Sequence, residues 1–427
     1  MNLMNNLKTL AIKGGKKRVS QSIRPYVSVG EEEKEAIGKF LDCKMPLSGF
    51  HGSAQPTFFG GIEVKRFEEG WSKTFNSSFV ISMNSATSGL IAAMGAIGVE
   101  PGDEIIVPPY TMSASAISPL IYGGVPVFVD IEDNFFCLDV QKVVEAITPK
   151  TKAIMAVNLW GHPSELFTLR KIADTRGIYL IEDNSQAIYA KHKNKFTGTI
   201  GHIGVYSMNV HKHIQAGEGG VCATEDPVLA ERLQLIRNHG ENVTAWLSVE
   251  NLTNLVGFNF RQTEIGAVIS RIQLGKIEKQ VERCREVSRR LSEGLADLNG
   301  IIVPKIQKEN THSYFMWSIR FLQDEVGCTR NSFFEALQHE GVPVAQGYVP
   351  PIYRLPMFQK KIAIGSKGFP FSLSDQDYRD GICPVTERLY EKEIIQYQPV
   401  AWDPTNTQVD EMIEAFRKVH AQASQLG

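Results

Sequence analysis

Lys212 is the residue whose type and position most directly suggest covalent chemistry. It follows residues 203–206, an apolar stretch that predicts the end of a buried strand, and it precedes the glycine-rich turn at residues 217–220. A lysine held in such a place can form a Schiff base with an aldehyde. A solvated lysine in a basic loop is the ordinary alternative, so the hypothesis depends on residues that can be placed beside Lys212.

Two adjacent carboxylates, Glu182 and Asp183, follow another predicted strand at residues 178–181. Buried carboxylates are costly unless at least one is paired with a proton or a cation. The protonated nitrogen of a pyridine ring is such a partner, and a carboxylate there maintains the ring as an electron sink. A metal ion is the rival partner, but no histidine or further carboxylate stands at ligand spacing, so we expect no metal site.

A third cluster, MNSATSGL at residues 83–90, opens a predicted helix after a strand at residues 79–82. The free N–H groups and positive dipole end of a helix N-terminus bind phosphate. Ordinary capping by Ser85 or Thr87 would explain the same residues, and this segment alone leaves both readings open. Pyridoxal phosphate is held by its phosphate, its ring nitrogen and its aldehyde. The three clusters together therefore predict that cofactor far better than any one of them does.

The elements that must position these clusters alternate between strand and helix. Strands are predicted at residues 79–82, 104–107, 125–129, 153–157, 178–181, 203–206 and 220–223, and helices at about 87–98, 112–122, 139–147, 163–176 and 226–238. Such alternation predicts a largely parallel sheet covered by helices on both faces. Ligands bind such sheets beyond the carboxyl ends of the strands, where the three clusters fall.

The pattern changes after Arg261. Residues 262–298 have the periodicity of one long helix, and a strand at 316–321 with helices near 330–340 and 407–425 indicates a smaller α+β unit. A chain of 427 residues exceeds what one hydrophobic core usually supports. We expect a large domain at residues 1–284 and a small C-terminal domain at residues 285–427, with the N-terminal segment packing against the small domain.

Composition and charge exclude several classes of protein. The 43% hydrophobic and 22% charged residues are typical of a globular protein, and a net charge of −2 argues against nucleic acid or an anionic membrane as the main partner. Six scattered cysteines form no CxxC or Cys/His cluster, which indicates reduced thiols. Residues 1–24 lack the apolar core of a signal peptide, and no segment is apolar over a membrane's width. We therefore expect a cytoplasmic protein.

With these residues in place, the sequence resembles the fold-type I pyridoxal-phosphate aminotransferases of the DegT/StrS group, which aminate keto sugars and keto cyclitols. The matching motifs extend over nearly the whole chain: RPY at 24–26, GGIEVKRFE at 60–68, GVEPGDEIIVP at 98–108, EDNSQA at 182–187, SMNVHK at 207–212, GFNFR at 257–261 and CPVTER at 383–388. The resemblance implies an α/β fold with a mainly parallel seven-stranded sheet between helices, plus a smaller α+β C-terminal domain.

The same resemblance implies roles for individual residues. Lys212 corresponds to the Schiff-base lysine and proton shuttle, and Asp183 to the partner of the ring nitrogen. The other implied cofactor-binding residues are Gln186 facing the ring hydroxyl, Ala86, Thr87, Ser207 and Asn209 at the phosphate, and Met112 at the ring face. Asn259 matches a position that reaches the phosphate of the neighbouring subunit, which implies a homodimer with shared active sites.

A transaminase of this group would move an amino group from glutamine or glutamate, through pyridoxamine phosphate, to a keto sugar or keto cyclitol in the biosynthesis of an amino sugar or aminocyclitol. His211 and His213 beside Lys212 are most similar to the branch that aminates scyllo-inosose-type cyclitols. Residues 158–160, 312–317 and 346–348 are candidates for contact with the substrate, and equally for core packing.

Three features depart from the family pattern. Ala86 stands where glycine is usual, and residues 50–59 lengthen a segment near the expected substrate entrance. Met112 stands where an aromatic residue commonly stacks on the cofactor; its thioether can cover the ring face, and Tyr110 is the other candidate for that role.

Two alternatives use the same fold. Relatives with histidine in place of the lysine dehydrate deoxysugars, so the activity depends on whether Lys212 or a flanking histidine meets the cofactor. A non-catalytic ligand sensor is the other alternative, and the presence of both Asp183 and Lys212 argues against it.

Overall fold

The computed structural model describes residues 9–426 of the chain, and its central element is a seven-stranded sheet. In chain order the strands are β1 Phe79–Met83, β2 Glu104–Val107, β3 Val125–Phe128, β4 Thr151–Val157, β5 Tyr179–Asp183, β6 Ile203–Ser207 and β7 Gly220–Thr224. Their spatial order is β1-β7-β6-β5-β4-β2-β3. Strand β7 runs antiparallel to β1 and β6, whereas the other pairs are parallel. The predicted mainly parallel sheet is confirmed.

Helices cover both faces of this sheet. They are α1 Glu31–Asp42, α2 Ile62–Phe75, α3 Ala86–Ala96, α4 Ala114–Ile117, α5 Val140–Ala146, α6 Leu166–Arg176, α7 Pro227–Arg237, α8 Thr244–Leu247, α9 Glu264–Leu274 and α10 Ile277–Leu295. Successive side chains of a strand point to opposite faces. Ile105 and Val107 accordingly pack in one cluster with α3 and α7, while Ile106 packs in another with α5 and α6.

The prediction of one long helix over residues 262–298 is wrong, because the chain forms two helices there. Gly275 ends α9, and its N–H donates to the carbonyl of Arg271. Lys276, which follows, forms an ion pair of 2.7 Å with the buried Glu33 of α1. Helix propensity is low at glycine, and the break lets α9 pack on α1 and α2 while α10 joins the C-terminal core.

A second, four-stranded antiparallel sheet forms the core of the C-terminal part. Its strands are β8 Ile301–Ile302, β9 Trp317–Phe321, β10 Ala345–Gln346 and β11 Ile394–Tyr397, in the order β8-β9-β11-β10. The helices here are α11 Gln323–Val326, α12 Arg330–His339, α13 Pro356–Gln359, α14 Pro384–Arg388 and α15 Asn406–His420. Leu10, Val19 and Ile23 of the N-terminal segment are buried in the same cluster. The division at residues 284 and 285 falls within α10 and stays a prediction.

None of the helices within residues 9–426 has the length and apolar character that crossing a bilayer requires.

Candidate active site

The three clusters meet at the carboxyl edge of the sheet. Strands β5 and β6 are neighbours, with Asp183 in register with Val205. Because β7 is antiparallel, its first residue, Gly220, lies at this same edge, opposite both Met83 of β1 and Ser207 of β6. An added Cβ at Gly220 would lie 2.5 Å from the carbonyl carbon and oxygen of Ser85. Glycine at position 220 therefore lets the start of α3 approach the end of β6.

Lys212 is buried at this edge, with 8% of its surface exposed. Burial lowers the pKa of its amine to about 8. The negative charge of Asp183 acts in the opposite direction and raises that pKa, but its effect is the smaller of the two. Its Nζ lies 4.1 Å from the centroid of the Phe315 ring, and no hydrogen-bond acceptor for it is found among residues 9–426. A buried amine with a lowered pKa and no committed partner is suited to nucleophilic attack on an aldehyde.

The histidines on either side of Lys212 have other surroundings. His213 is fully buried, and its Nε2 donates to the carbonyl oxygen of Ser313 at 2.9 Å. Burial lowers the pKa of His213 to about 4, so the ring is neutral. His211 is exposed. Of the three residues, Lys212 is therefore the one whose side chain is buried, unpaired and within the field of Asp183.

Asp183 is buried and accepts one hydrogen bond on each carboxylate oxygen. The hydroxyl of Ser115 in α4 donates to Oδ2 at 2.7 Å, and the N–H of Ser185 donates to Oδ1 at 3.1 Å. Each oxygen retains a lone pair for a further donor. Sequence reasoning missed Ser115, although its place in the segment that leads from the carboxyl end of β2 into α4 was the available signal.

Glu182 has a structural environment, in contrast to its neighbour. Its fully buried carboxylate accepts from the N–H groups of Gly198, Ile200 and Gly201 and from the Asn158 amide. Burial raises its pKa, and these four hydrogen bonds act in the opposite direction. The two adjacent carboxylates thus have different roles. Glu182 binds the backbone of the 198–201 loop, and Asp183 faces Lys212.

Gln186 connects the site to the C-terminal part of the chain. Its Oε1 accepts from the N–H of Trp160 at 3.0 Å, and its Nε2 donates to the hydroxyl of Tyr348 at 2.8 Å. A backbone N–H can only donate, so the orientation of the amide is set by Trp160. Burial raises the pKa of Tyr348 to about 12, which maintains its proton.

The start of α3 is capped and also has N–H groups without an acceptor in the described residues. Ser85 is the cap, since its hydroxyl accepts from the N–H of Ser88 at 3.0 Å. The N–H groups of Ala86 and Thr87 have no acceptor in the described part of the chain. Capping and phosphate binding, which the sequence left as alternatives, are therefore compatible.

Ser207 lies opposite Gly220 on the side away from this helix start, and Asn209 follows two residues later. The N–H of Asn209 lies 3.4 Å from the hydroxyl of Ser207, and its side-chain Nδ2 donates to Glu218 at 2.8 Å. The Oδ1 of Asn209 is buried without a partner within residues 9–426. The amide of Asn209 is thus oriented before any ligand binds.

Met112 and Asn259 lie at the exposed margin of the site. Met112 is 60% exposed. Asn259 is exposed, its Oδ1 accepts from Arg261 at 2.8 Å, and its carbonyl accepts from Asn84, next to the helix cap. Tyr110, the other candidate for ring stacking, is fully buried, and its hydroxyl donates to the Gly347 carbonyl at 2.5 Å. It has no ring face open to a cofactor, so that suggestion is wrong.

Most of the candidate substrate-contacting residues belong to the core. Trp317 is fully buried and donates to Ser292 at 2.9 Å, and the amide of Asn158 is occupied by Glu182, Asn184 and Ser164. Two of them contact the site: the hydroxyl of Tyr348 accepts from Gln186, and the ring of Phe315 lies beside the Nζ of Lys212.

The long segment at residues 50–59 is fastened to the end of α7. The amide of Asn238 donates to the carbonyls of His51 and Phe58 at 2.8 and 2.7 Å, and Arg237 donates to Phe59 at 3.1 Å. Asn238 also forms a β-bridge with Asn259. The segment therefore lies on the Asn259 side of the site.

These surroundings fit pyridoxal phosphate. A buried amine without a partner, a buried carboxylate with free lone pairs and two helix N–H groups without acceptors match its aldehyde, ring nitrogen and phosphate. Within residues 9–426, no group of three or more histidine, cysteine or acidic residues is placed to hold a metal ion.

Comparison with known proteins identifies the family. Residues 53–415 match the DegT/DnrJ/EryC1/StrS aminotransferase family. The chain belongs to this family. It is a pyridoxal-phosphate-dependent aminotransferase of fold-type I, so the predicted fold class, cofactor and type of enzyme are confirmed.

Its relatives act on more than one type of substrate. The L-glutamine:2-deoxy-scyllo-inosose aminotransferase of Streptomyces kanamyceticus is 31% identical over 375 residues, which are 84% of this chain and 86% of that protein. The GDP-perosamine synthase of Escherichia coli O157:H7 is 31% identical over 335 residues, 78% of this chain and 86% of that protein. The solved aminotransferase from Psychrobacter cryohalolentis has a TM-score of 0.81 at 25% identity, covering 94% of this chain and 99% of that one.

Proposed function

We propose that this aminotransferase moves an amino group from glutamine or glutamate to a keto sugar or keto cyclitol, in the biosynthesis of an amino sugar or aminocyclitol. The observation that carries the proposal is Lys212, a buried amine with a lowered pKa in the field of Asp183. Members of the family with both kinds of substrate support the substrate class. The cyclitol branch, with glutamine as donor, is the narrower form of the proposal.

Lys212 and Asp183 divide the chemistry between them. Pyridoxal phosphate, when bound, supplies an electron sink for the carbon that loses its proton. The Nζ of Lys212 would hold the aldehyde and would also be the base that takes the proton from the α-carbon of the amino-acid donor. A pKa near 8 leaves a useful neutral fraction of this amine at neutral pH. The carboxylate of Asp183 maintains the proton on the ring nitrogen.

The remaining residues position the cofactor. The N–H groups of Ala86 and Thr87, with Ser207, would hold the phosphate, and Asn209 would lie beside it. The second hydrogen of the Gln186 amide would face the ring hydroxyl, since the first is donated to Tyr348. Met112 would cover the ring face, and its exposure is consistent with a position over an open site.

A homodimer would complete the site. Asn259 is exposed, and the segment before it carries the exposed apolar residues Trp246, Leu252 and Val256, the last of them 68% exposed. A second copy packed on this segment would bury those side chains and bring Asn259 towards the partner's phosphate site. Light scattering of the purified protein tests this, and a monomer at micromolar concentration would contradict it.

The dehydratase alternative requires a histidine at the cofactor aldehyde. His213 is fully buried and donates to the Ser313 carbonyl, and His211 is exposed. These positions favour Lys212 as the residue that meets the aldehyde, and hence transamination.

Borohydride reduction with bound pyridoxal phosphate, followed by peptide mapping, tests the site. We expect a pyridoxyl group on Lys212, no label in Lys212→Ala, and an unchanged label in the control Lys195→Ala, whose lysine is exposed on a separate short strand. A label on another residue, or its absence from the native protein, would contradict the proposal.

The substrates are tested in two steps. Glutamine and glutamate are added separately while the absorption of the cofactor is followed, and the converted form is then mixed with keto cyclitols or with nucleotide-linked keto sugars. Recovery of the original spectrum identifies the acceptor class. Recovery with neither class would contradict the proposed substrates without affecting the cofactor site.

A further inference from the structure

Ser115 is a fully buried hydroxyl residue in the short helix α4, outside the residues so far given a role at the cofactor. We propose that Ser115 is a positioning residue that holds the carboxylate of Asp183 oriented towards the ring nitrogen of the cofactor. The inference rests on the proposed role of Asp183 and deepens it. Ser115 itself touches Asp183, and it acts on the cofactor through that carboxylate.

The geometry of the carboxylate supports this role. Ser115 donates to Oδ2 at 2.7 Å, the usual distance for a hydroxyl donor, and the N–H of Ser185 donates to Oδ1 at 3.1 Å. Donors on different oxygens fix the plane of the carboxylate. Since the Ser185 donor is main chain, Ser115 is the side chain on which that plane depends.

The hydroxyl of Ser115 is directed away from its usual local acceptor. A serine in a helix commonly donates to the carbonyl one turn earlier. The Ser115 hydroxyl donates instead to Asp183 on another strand, 68 residues away in sequence. Its backbone is held separately, because its N–H donates to Met112 and its carbonyl accepts from Ser118. The Ser115 hydroxyl can therefore donate to Asp183 without a competing role in the local backbone.

The electrostatic effect of the hydrogen bond has a definite direction. A donor to a carboxylate favours its ionised form. The charge of Asp183 raises the pKa of Lys212 and of Tyr348, so both groups lie within its field. Loss of the Ser115 hydroxyl would raise the proton affinity of Asp183 and draw the shared proton away from the ring nitrogen. A less positive ring nitrogen raises the proton affinity of the nitrogen that joins Lys212 to the cofactor.

The test is a pH titration of the absorption of the bound cofactor in Ser115→Ala and in the native protein. We expect the transition to move upward by about half a pH unit or more, since one unit corresponds roughly to the net strength of one hydrogen bond to a charged group. Ser115→Thr retains the hydroxyl and should restore the native transition. Ser118→Ala is the matched control, because Ser118 is equally buried but donates only to the Ser115 carbonyl.

A second cofactor separates positioning from a structural role. With 1-deazapyridoxal phosphate, in which carbon replaces the ring nitrogen, we expect native protein and Ser115→Ala to titrate alike. With pyridoxal phosphate we also expect kcat to fall about tenfold at a nearly constant KM. An unchanged transition with pyridoxal phosphate, or an equal shift with the deaza cofactor, would overturn the inference.

Two further variants make the result unambiguous. Ser115→Cys retains the size of the side chain with a much weaker donor, and it takes the place of Ser115→Ala if the alanine protein does not fold. Asp183→Asn should move the transition further than Ser115→Ala does. A native-like transition in Asp183→Asn would contradict the role of Asp183 and with it the inference, whereas a shift in Asp183→Asn but none in the Ser115 variants would overturn the inference alone.

Discussion

The Nε2 of Gln186 lies 2.8 Å from the hydroxyl oxygen of Tyr348, and this contact joins the end of β5 to the loop after β10. The ring of Tyr348 packs edge-on against Tyr110 and Trp160. One tyrosine thus accepts a hydrogen bond from Gln186 at the candidate site and packs against two aromatic residues of the N-terminal part of the chain. The hydroxyl and the ring have separable roles.

Replacement of Tyr348 by phenylalanine should affect the site more than the fold. The ring contacts remain, but Gln186 loses the acceptor for one of its hydrogens. Because one neutral hydrogen bond contributes about 1 kcal/mol, we expect kcat/KM to fall roughly fivefold. Steady-state kinetics measure this, and thermal unfolding within about 2 °C of the native protein is the control; an unchanged kcat/KM would contradict the role of the hydroxyl.

Lys212 should destabilise the cofactor-free protein below about pH 8. Its pKa is lowered from 10.5 to about 8 by burial, so the unfolded chain binds more protons than the folded chain between these values. Stability therefore rises with pH across that window. In the cofactor-free state we expect Lys212→Met to be more stable than the native protein at pH 7, by at most about 3 kcal/mol. The difference should shrink as pH approaches 10.5.

Urea unfolding of both cofactor-free proteins at pH 7, 8, 9 and 10 measures this difference. A constant gap at all four values would show that the charge of Lys212 is not responsible. With pyridoxal phosphate bound, the order should reverse, because ligand bound by the folded state stabilises the native protein and Lys212→Met lacks the covalent attachment.

Gly220→Ala should damage the phosphate end of the site. The new methyl group would meet the backbone of Ser85 and Ala86, which begins α3. We expect a loss of about 1–3 kcal/mol in stability from the forced backbone shift and weaker binding of pyridoxal phosphate. Gly38→Ala is the control, since its Cβ would have open space in the helix α1. It should be neutral or slightly stabilising; equal affinity for the cofactor in both variants would contradict the prediction.

Glu182→Gln should unfold more easily without a direct effect on the cofactor. The carboxylate accepts three backbone N–H groups of the 198–201 loop, and an amide NH2 placed there would face donors instead of accepting from them. We expect a loss of about 2–4 kcal/mol. Denaturant unfolding measures the loss, and the absorption transition of the bound cofactor should remain native. A large shift of that transition would mean that Glu182 also acts at the ring nitrogen.

The sequence by itself determined the succession of strands and helices along the chain, the seven-stranded α/β class and the three clusters at the carboxyl ends of β1, β5 and β6. These depend on hydrophobic periodicity and on small, polar or charged residues at strand ends, which are properties of neighbouring residues. Lys212 and Asp183 could be identified from the sequence for the same reason. The break at Gly275 was missed because a single glycine does not interrupt the apolar pattern on either side of it.

Tertiary structure decided which of these residues meet. The antiparallel β7 brings Gly220 between β1 and β6, and strand order is set by long-range packing that local patterns do not encode. Glu182, Asp183 and Gln186 obtain these partners from distant parts of the chain. Gly198 is 16 residues from Glu182, Ser115 is 68 residues from Asp183, and Tyr348 is 162 residues from Gln186. Physical proximity of this kind arises only when the sheet is assembled, which is why Lys212 could be named from the sequence but its surroundings could not.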